Sequence, residues 1–287
     1  MALQKLTEAI TLFFQSVFSI VKVILLSKFF VRLPKVEPGQ ECVILGNGPC
    51  LTKDLELHRD FIIQRKKLCV NLFAFSDEYT KIKPEYYVLA APEFWLKNTT
   101  GFHKNQRTKL ANFIYERTSW QMKLLIPFAA KNCGLVNKII SNPNVEIIYF
   151  NQTPVEGLSF LNKRMFNSNL GMPRPHNVLI PSIFLSLNLG FNKVFIFGAD
   201  HSWHEEIRVD FSNNVTVNHQ HFFEKNETRF AMYKLDGKEY RIHDIFRKLH
   251  FAFKGYFILA DYAKFKNAKV YNASSKSYID AFEKISL

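Results

Sequence analysis

The run Glu41 to Leu45 ends on Gly46-Asn47-Gly48-Pro49, and no other stretch of this chain limits its fold as much. A short apolar strand broken by two glycines and followed by a helical segment, Leu51 to about Gln64, is a β-turn-α unit. Glycines at that point let the backbone turn sharply and approach a ligand closely, and the next helix offers N–H groups to a phosphate. The motif is G-N-G-P and not G-x-G-x-x-G, so the usual dinucleotide fingerprint is not met.

The pattern then repeats. Lys67 to Asn71, Glu85 to Ala90, Met122 to Ile126, Val145 to Phe150 and Lys193 to Phe197 read as strands. Asn177 to Gly190 reads as a helix closed by a glycine, Arg241 to Lys266 as a long helix broken at Gly255, and Ala268 to Tyr271 as a last strand. Strands alternating with helices predict an α/β fold: a Rossmann-like, mostly parallel sheet with helices on both faces. The polar stretch at about 199–240 has no clear period and is too long for a silent connection, so it is read as a lid. The expected organisation is an N-terminal helix, 1–33, and a Rossmann-like nucleotide-binding domain, 39–287.

An apolar fraction of 47% over 287 residues supports one large core. The formal net charge of +13 favours polyanionic partners. Its basic residues are spread along the chain, and no RNA-recognition or helix-turn-helix pattern stands out, so nucleic acid is not the expected partner. Cys42, Cys50, Cys69 and Cys133 form no C-x-x-C pair and read as the reduced cysteines of a cytoplasmic protein. The sequons at Asn98 and Asn226 mean nothing without a secretory context.

From Ala9 to Val31 the chain is largely apolar, while Lys5, Glu8, Thr11, Gln15, Ser19 and Lys22 recur at gaps of three or four along one helical stripe. Lys28 and Arg32 add positive charge before Pro34 and Pro38. A spanning helix would hold that stripe in hydrocarbon, and a cleaved signal would need a small-residue site. A helix lying in the membrane interface accounts for both stripe and charge. The plainer alternative is a helix packed on the core or on a second subunit, which would make a homo-oligomer.

Several residues suit site chemistry. Asn71, after the second strand, has a donor and an acceptor for a base or ribose, though it equally suits a helix cap. Gly198-Ala199-Asp200-His201-Ser202-Trp203-His204-Glu205 follows the most apolar strand. There Asp200 can orient His201 or bind a sugar hydroxyl, and Trp203 can stack on a ring. His201, His204, His219 and His221 suggest a metal, but no tight zinc spacing occurs and no cysteine joins them, so none is expected. His243 and His250 lie seven apart on the long helix, nearly on one face, and either can serve as a general base near neutral pH. Asn272 and Ser274, in Tyr271-Asn272-Ala273-Ser274-Ser275, close the last strand where a phosphate could sit.

Strand-ending G-N-G-P, the Asn after the second strand, Leu189-Gly190-Phe191 before VFIFGAD, and the closing VYNAS together resemble bacterial sialyltransferases that use CMP-sialic acid. They also resemble the catalytic domain of motility-associated-factor flagellin glycosyltransferases. The resemblance spans roughly residues 41–285 as an order of motifs. It implies that Asn47 and Asn71 contact the CMP moiety, with Gly46, Gly48 and Pro49 shaping that loop. It also implies a catalytic histidine on the helix before the final strand, His250 by an ungapped count and His243 by a shift along the helix. The family holds its leaving phosphate with lid tyrosines, where this chain has His201, Trp203, His204 and His221. The same superfamily includes an archaeal-type pterin pyrophosphokinase, so the fold alone does not fix the chemistry.

The expected function is therefore a metal-independent, inverting glycosyltransferase with no cofactor beyond its CMP-sugar donor. It would move an acidic sugar to a surface glycan or lipid-linked acceptor, at the inner face of a bacterial cell membrane. A pyrophosphokinase and a non-catalytic nucleotide-binding scaffold are the alternatives.

Overall fold

The computed structural model describes residues 2–97, 101–218, 221–224, 229–231 and 239–287. Helix α1 (Ala2–Leu26) leads into β1 (Glu41–Leu45), α2 (Leu51–Ile63), β2 (Lys66–Val70), α3 (Glu78–Ile82), β3 (Tyr86–Val88) and α4 (Gly101–Arg117). Then come β4 (Met122–Pro127), α5 (Gly134–Ile139), β5 (Val145–Phe150), α6 (Ser159–Asn167), α7 (Leu179–Leu189) and β6 (Lys193–Phe197). Three short strands follow, β7 (Ile207–Val209), β8 (Val215–Asn218) and β9 (Arg229–Ala231), before α8 (Ile242–Phe265), β10 (Lys269–Asn272) and β11 (Glu283–Lys284).

The fold is α/β, as predicted. An eight-stranded sheet has the order β11-β10-β6-β1-β2-β3-β4-β5, and every pairing in it is parallel. Parallel strands covered on both sides carry apolar residues at every position, and β1 shows this. Its Cys42 and Ile44 enter the core beneath α7 and α8, while Val43 and Leu45 enter the core beneath α2, α4 and α5.

Two expectations change at the end of the chain. Helix α8 runs unbroken through Gly255, because a Cβ there would stand 2.6 Å from Ile180 Cδ1 on α7. The glycine lets two helices pack closely and does not break one. Strand β10 is not the last, since β11 adds an edge strand beyond it.

The polar stretch after β6 contains a small antiparallel sheet, β7-β8-β9. Val215 and Val217 of β8 pack with Ile207, Tyr240, Leu249 and Ile245, which places this sheet against the first turns of α8.

Helix α1 docks through a narrow seam of serines and Val23, which is buried in the core, while its large apolar face stays outside. Ser16, Ser19 and Ser27 are buried. Ser19 Oγ donates to Glu156 O and accepts from Glu156 N, Ser16 Oγ accepts from Leu158 N, and Ser27 Oγ donates to Leu170 O. Gly157 makes the approach feasible, because a Cβ there would lie 2.3 Å from Ser16 Oγ. The large side chains point outward instead: Phe13, Phe14, Val17, Phe18, Val21, Ile24 and Leu25 are all exposed. Leu3–Leu26 is long and apolar enough to cross a membrane, with a mean hydropathy of 2.1.

Candidate functional site

The sheet changes direction at β1: later strands run outward through β2 to β5, then the chain returns on the other side at β6. Ligands of open parallel sheets bind outside the strand carboxyl ends at such a switch point. Leu45 is level with both Cys69 and Phe197, so the loops after β1, β2 and β6 open on one edge. This register brings Gly46-Asn47-Gly48-Pro49, Asn71 and Gly198-Ala199-Asp200-His201 together.

The first and third loops are in tight contact. Gly46 N donates to Phe197 O at 2.8 Å, and Gly48 N donates to Gly198 O at 2.9 Å. A Cβ on Gly46 would stand 2.3 Å from Gly198 O, and one on Gly48 would stand 2.0 Å from Asp200 Oδ2. Both glycines are therefore required by neighbouring chain, whatever ligand arrives. The buried Asp200 carboxylate accepts the Cys50 N–H at 3.1 and 3.2 Å. The amide at the start of α2 that was expected to meet a phosphate thus already holds an anion. Burial pushes the Asp200 carboxyl above its ordinary value, with Asp54 adding to the rise. It also pushes the Cys50 thiol up, helped by Asp200, which leaves that cysteine a poor nucleophile.

Asp54 is the residue sequence reading missed. Fully buried on α2, it accepts Gly198 N and Ser275 N, each at 2.9 Å, and so ties the ends of β6 and β10 to that helix. The readable signal was an acid on the face of α2 that buries Leu51, Leu55 and Ile62. Asn272 and Ser274 serve the same bracing. Asn272 Nδ2 donates to Ile279 O, Ala199 N donates to Ser274 Oγ, and Ser274 Oγ donates to Ile196 O. Their polar groups are turned to the backbone and hold the Ala199 turn in place.

His201 is buried at a left-handed φ of 52°, and its Nε2 lies 2.5 Å from Tyr256 Oη on α8. Tyr256 donates onward to Asn177 Oδ1, which is fixed as the oxygen because it also accepts Leu179 N and Ile180 N. The chain of donors therefore assigns the proton to His201 Nε2 and the lone pair to Nδ1. Desolvation by burial drops the His201 pKa to about 3, so the ring is neutral. Trp203 packs on that ring at 4.2 Å between centroids, with Phe253 and Tyr256 on other sides.

On the β2 side, Asn47 Nδ2 donates to Val70 O, while its buried Oδ1 has no partner among the described residues. Asn71 adopts a φ of 44°, starts a 3-10 turn and accepts Ala90 N on Oδ1. Residues 221–224, in the polar stretch, pack on this side of the sheet edge. Phe222 N donates to Asn47 O, and the Phe222 ring packs 5.4 Å from Phe73. His221 pairs with Glu224 at 3.0 Å and stacks on Phe223.

No known family matches the chain, and no curated protein matches it in sequence. Among solved structures it is similar to a MAf glycosyltransferase from Magnetospirillum magneticum AMB-1, with a TM-score of 0.50 and 11% identity. The two share a fold. The match covers 91% of this chain and 35% of that one, so this chain spans about a third of the length of the glycosyltransferase. The expected likeness to the motility-associated-factor catalytic domain is thus present as fold.

Both histidines of α8 are exposed. His243 lies 3.6 Å from Asp244 Oδ1, and His250 meets the edge of Phe251. Tyr256 marks where α8 passes the strand ends, and His250 stands six residues earlier, about 9 Å beyond it along the axis. His204 turns to Tyr278 at 4.3 Å. Among the described residues no three His, Cys, Asp or Glu side chains are grouped to hold a metal. His219, Asn98 and Asn226 lie outside the described residues, as do parts of the lid.

Proposed function

We propose that this chain is a glycosyltransferase that moves an acidic sugar from a CMP-activated donor to a surface glycan or lipid-linked acceptor. The observation carrying this reading is the switch-point edge of a fold shared with a MAf glycosyltransferase, flanked on one side by Asn71 and by an Asn47 carbonyl that has no partner among the described residues. Asp200 supports the choice of donor. Its carboxylate already occupies the α2 amide, so incoming phosphate must lie toward Asn47 and Asn71. A nucleoside monophosphate meets less repulsion there than a diphosphate.

In this mechanism Asn47 and Asn71 hold the nucleotide, with Gly48 shaping the Asn47 loop, while Asp200, His201 and Trp203 orient the sugar. His250, or His243 in second place, takes the acceptor proton during a single inverting displacement. No metal is needed, because a phosphate monoester already leaves well. Helix α1 holds the enzyme on the inner face of the membrane by its outward apolar side.

Ligand-dependent thermal stability tests the donor, since binding to the folded state alone stabilises by RT ln(1 + [L]/Kd). CMP should raise Tm more than CDP, AMP, ADP or NAD, and Asn47→Ala should remove that rise without lowering the unliganded Tm. Equal or greater stabilisation by adenine nucleotides would overturn the CMP reading.

A further inference from the structure

Just beyond α1, Lys28, Phe29, Phe30 and Val31 form one wall of an open groove of about 520 Å³, and Phe128, Lys131 and Asn132 form the other. The second wall follows β4 directly, so the groove opens on the carboxyl edge of the sheet. It lies two strand spacings, about 10 Å, from the end of β2 where Asn71 sits.

The first wall is held firmly. Lys28 N donates to Asn151 Oδ1 at 2.9 Å, and Asn151 Nδ2 returns a bond to Lys28 O at 2.8 Å. Asn151 is buried at the end of β5, so the backbone of Lys28 is fastened to the sheet edge. Phe128 is stacked against Tyr149, 5.4 Å away. Phe30 is 95% exposed and Phe29 53% exposed, an apolar pair beside two lysines. Among the described residues neither Lys28 nor Lys131 has an acidic partner.

Two lysines with no acidic partner among the described residues, in one groove with exposed phenyl rings that follow directly on α1, match a molecule with an anionic head and a hydrocarbon tail. We infer that this groove binds the terminal phosphate of a membrane lipid, with Lys28 and Lys131 on the phosphate and Phe29 and Phe30 in the acyl layer. The site rests on the proposed membrane attachment of α1 but not on the transfer reaction. Its place on the sheet edge suits an acceptor lipid, whose head would point along the edge toward Asn71.

The test is co-sedimentation of the full chain with three vesicles: zwitterionic phosphatidylcholine alone, and the same lipid charged with phosphatidic acid or, at matched surface charge, with phosphatidylglycerol. Phosphatidic acid carries a terminal phosphate and phosphatidylglycerol does not. The wild type should bind phosphatidic acid vesicles best. Lys28→Gln with Lys131→Gln should lower that binding roughly tenfold and leave binding to phosphatidylcholine unchanged. The pair Lys53→Gln and Lys109→Gln, on α2 and α4 outside the groove, is the control. Equal losses on phosphatidylglycerol, or equal losses with the control pair, would reduce the effect to general surface charge and overturn the site. Failure to bind any vesicle would remove the membrane attachment itself and the lipid site with it. Inorganic phosphate that displaces the chain from phosphatidic acid vesicles at no more than the concentration of lipid phosphate would show that the acyl layer adds nothing, and would overturn the lipid as ligand.

Discussion

His201 carries no charge in the folded chain near neutral pH, because burial holds its pKa at about 3. An unfolded histidine titrates near 6.5, so the contribution of the neutral ring is complete above that pH and is lost as pH falls toward 3. Within the window the slope is about 1.4 kcal/mol per pH unit, which gives a loss of about 2 kcal/mol by pH 5. Urea unfolding at pH 7 and pH 5 should show that difference in the wild type and a smaller one in His201→Gln, whose amide can still donate to Tyr256. The same pH dependence in both proteins would mean that the ring is not desolvated. Asp54→Ala should destabilise by about 3 kcal/mol, since the Gly198 and Ser275 amides lose their acceptor in a buried place; a cost under about 1 kcal/mol would contradict the bracing role. His250→Asn should lower kcat by roughly 10²–10⁴-fold with CMP binding unchanged, and His243→Asn should not. Activity in both variants would move the base elsewhere, with His221 next to be examined. The glycines, Asn47 and Asp200 were legible in the sequence because strand-ending G-N-G-P and G-A-D are local patterns. The partners were not: that Asp200 would meet Cys50 N, or Tyr256 would meet His201, depends on residues 150 and 55 positions apart.

Among the elements, those with a strong apolar period were readable and those without one were not. β1, β6 and α7 each bury nearly every residue, so their composition announces them. α4 buries Leu110, Ala111 and Ile114 among 17 residues, and so few core contacts leave no pattern to read. No strand was read in the polar stretch that holds β7-β8-β9, because those strands are three or four residues long. Helix α1 showed both faces in its sequence, but which one packs was hidden, because the docking seam is made of serines. Gly157→Ala tests that seam. Gly157 has a φ of 118°, and a methyl there would press on Ser16 Oγ and Leu12 O, so α1 should come away from the domain. Limited proteolysis should then cut within residues 2–26 much faster than in the wild type while the remaining domain stays resistant. An unchanged digestion pattern would show that the seam is not what holds the helix.

At the scale of the whole molecule, the sheet edge and the helix bear on each other. Removing residues 1–32 should leave a folded domain that no longer sediments with anionic vesicles, because α1 adds only Val23 to the core and is otherwise held by serines bonded to loops. Loss of cooperative unfolding in the truncated chain would make α1 part of the core. The seam has a consequence for how such a molecule would search for its acceptor. A helix fastened at Ser16, Ser19 and Val23, with Ser27 bonded just past its end, forms one rigid piece with the domain. Laid on a bilayer, that piece keeps only sliding in two directions and spinning about the surface normal. The opening at the strand ends would then travel over the lipid at a constant height. Acceptors with heads at that height would be met by two-dimensional diffusion, whereas a molecule free in solution would have to arrive in three.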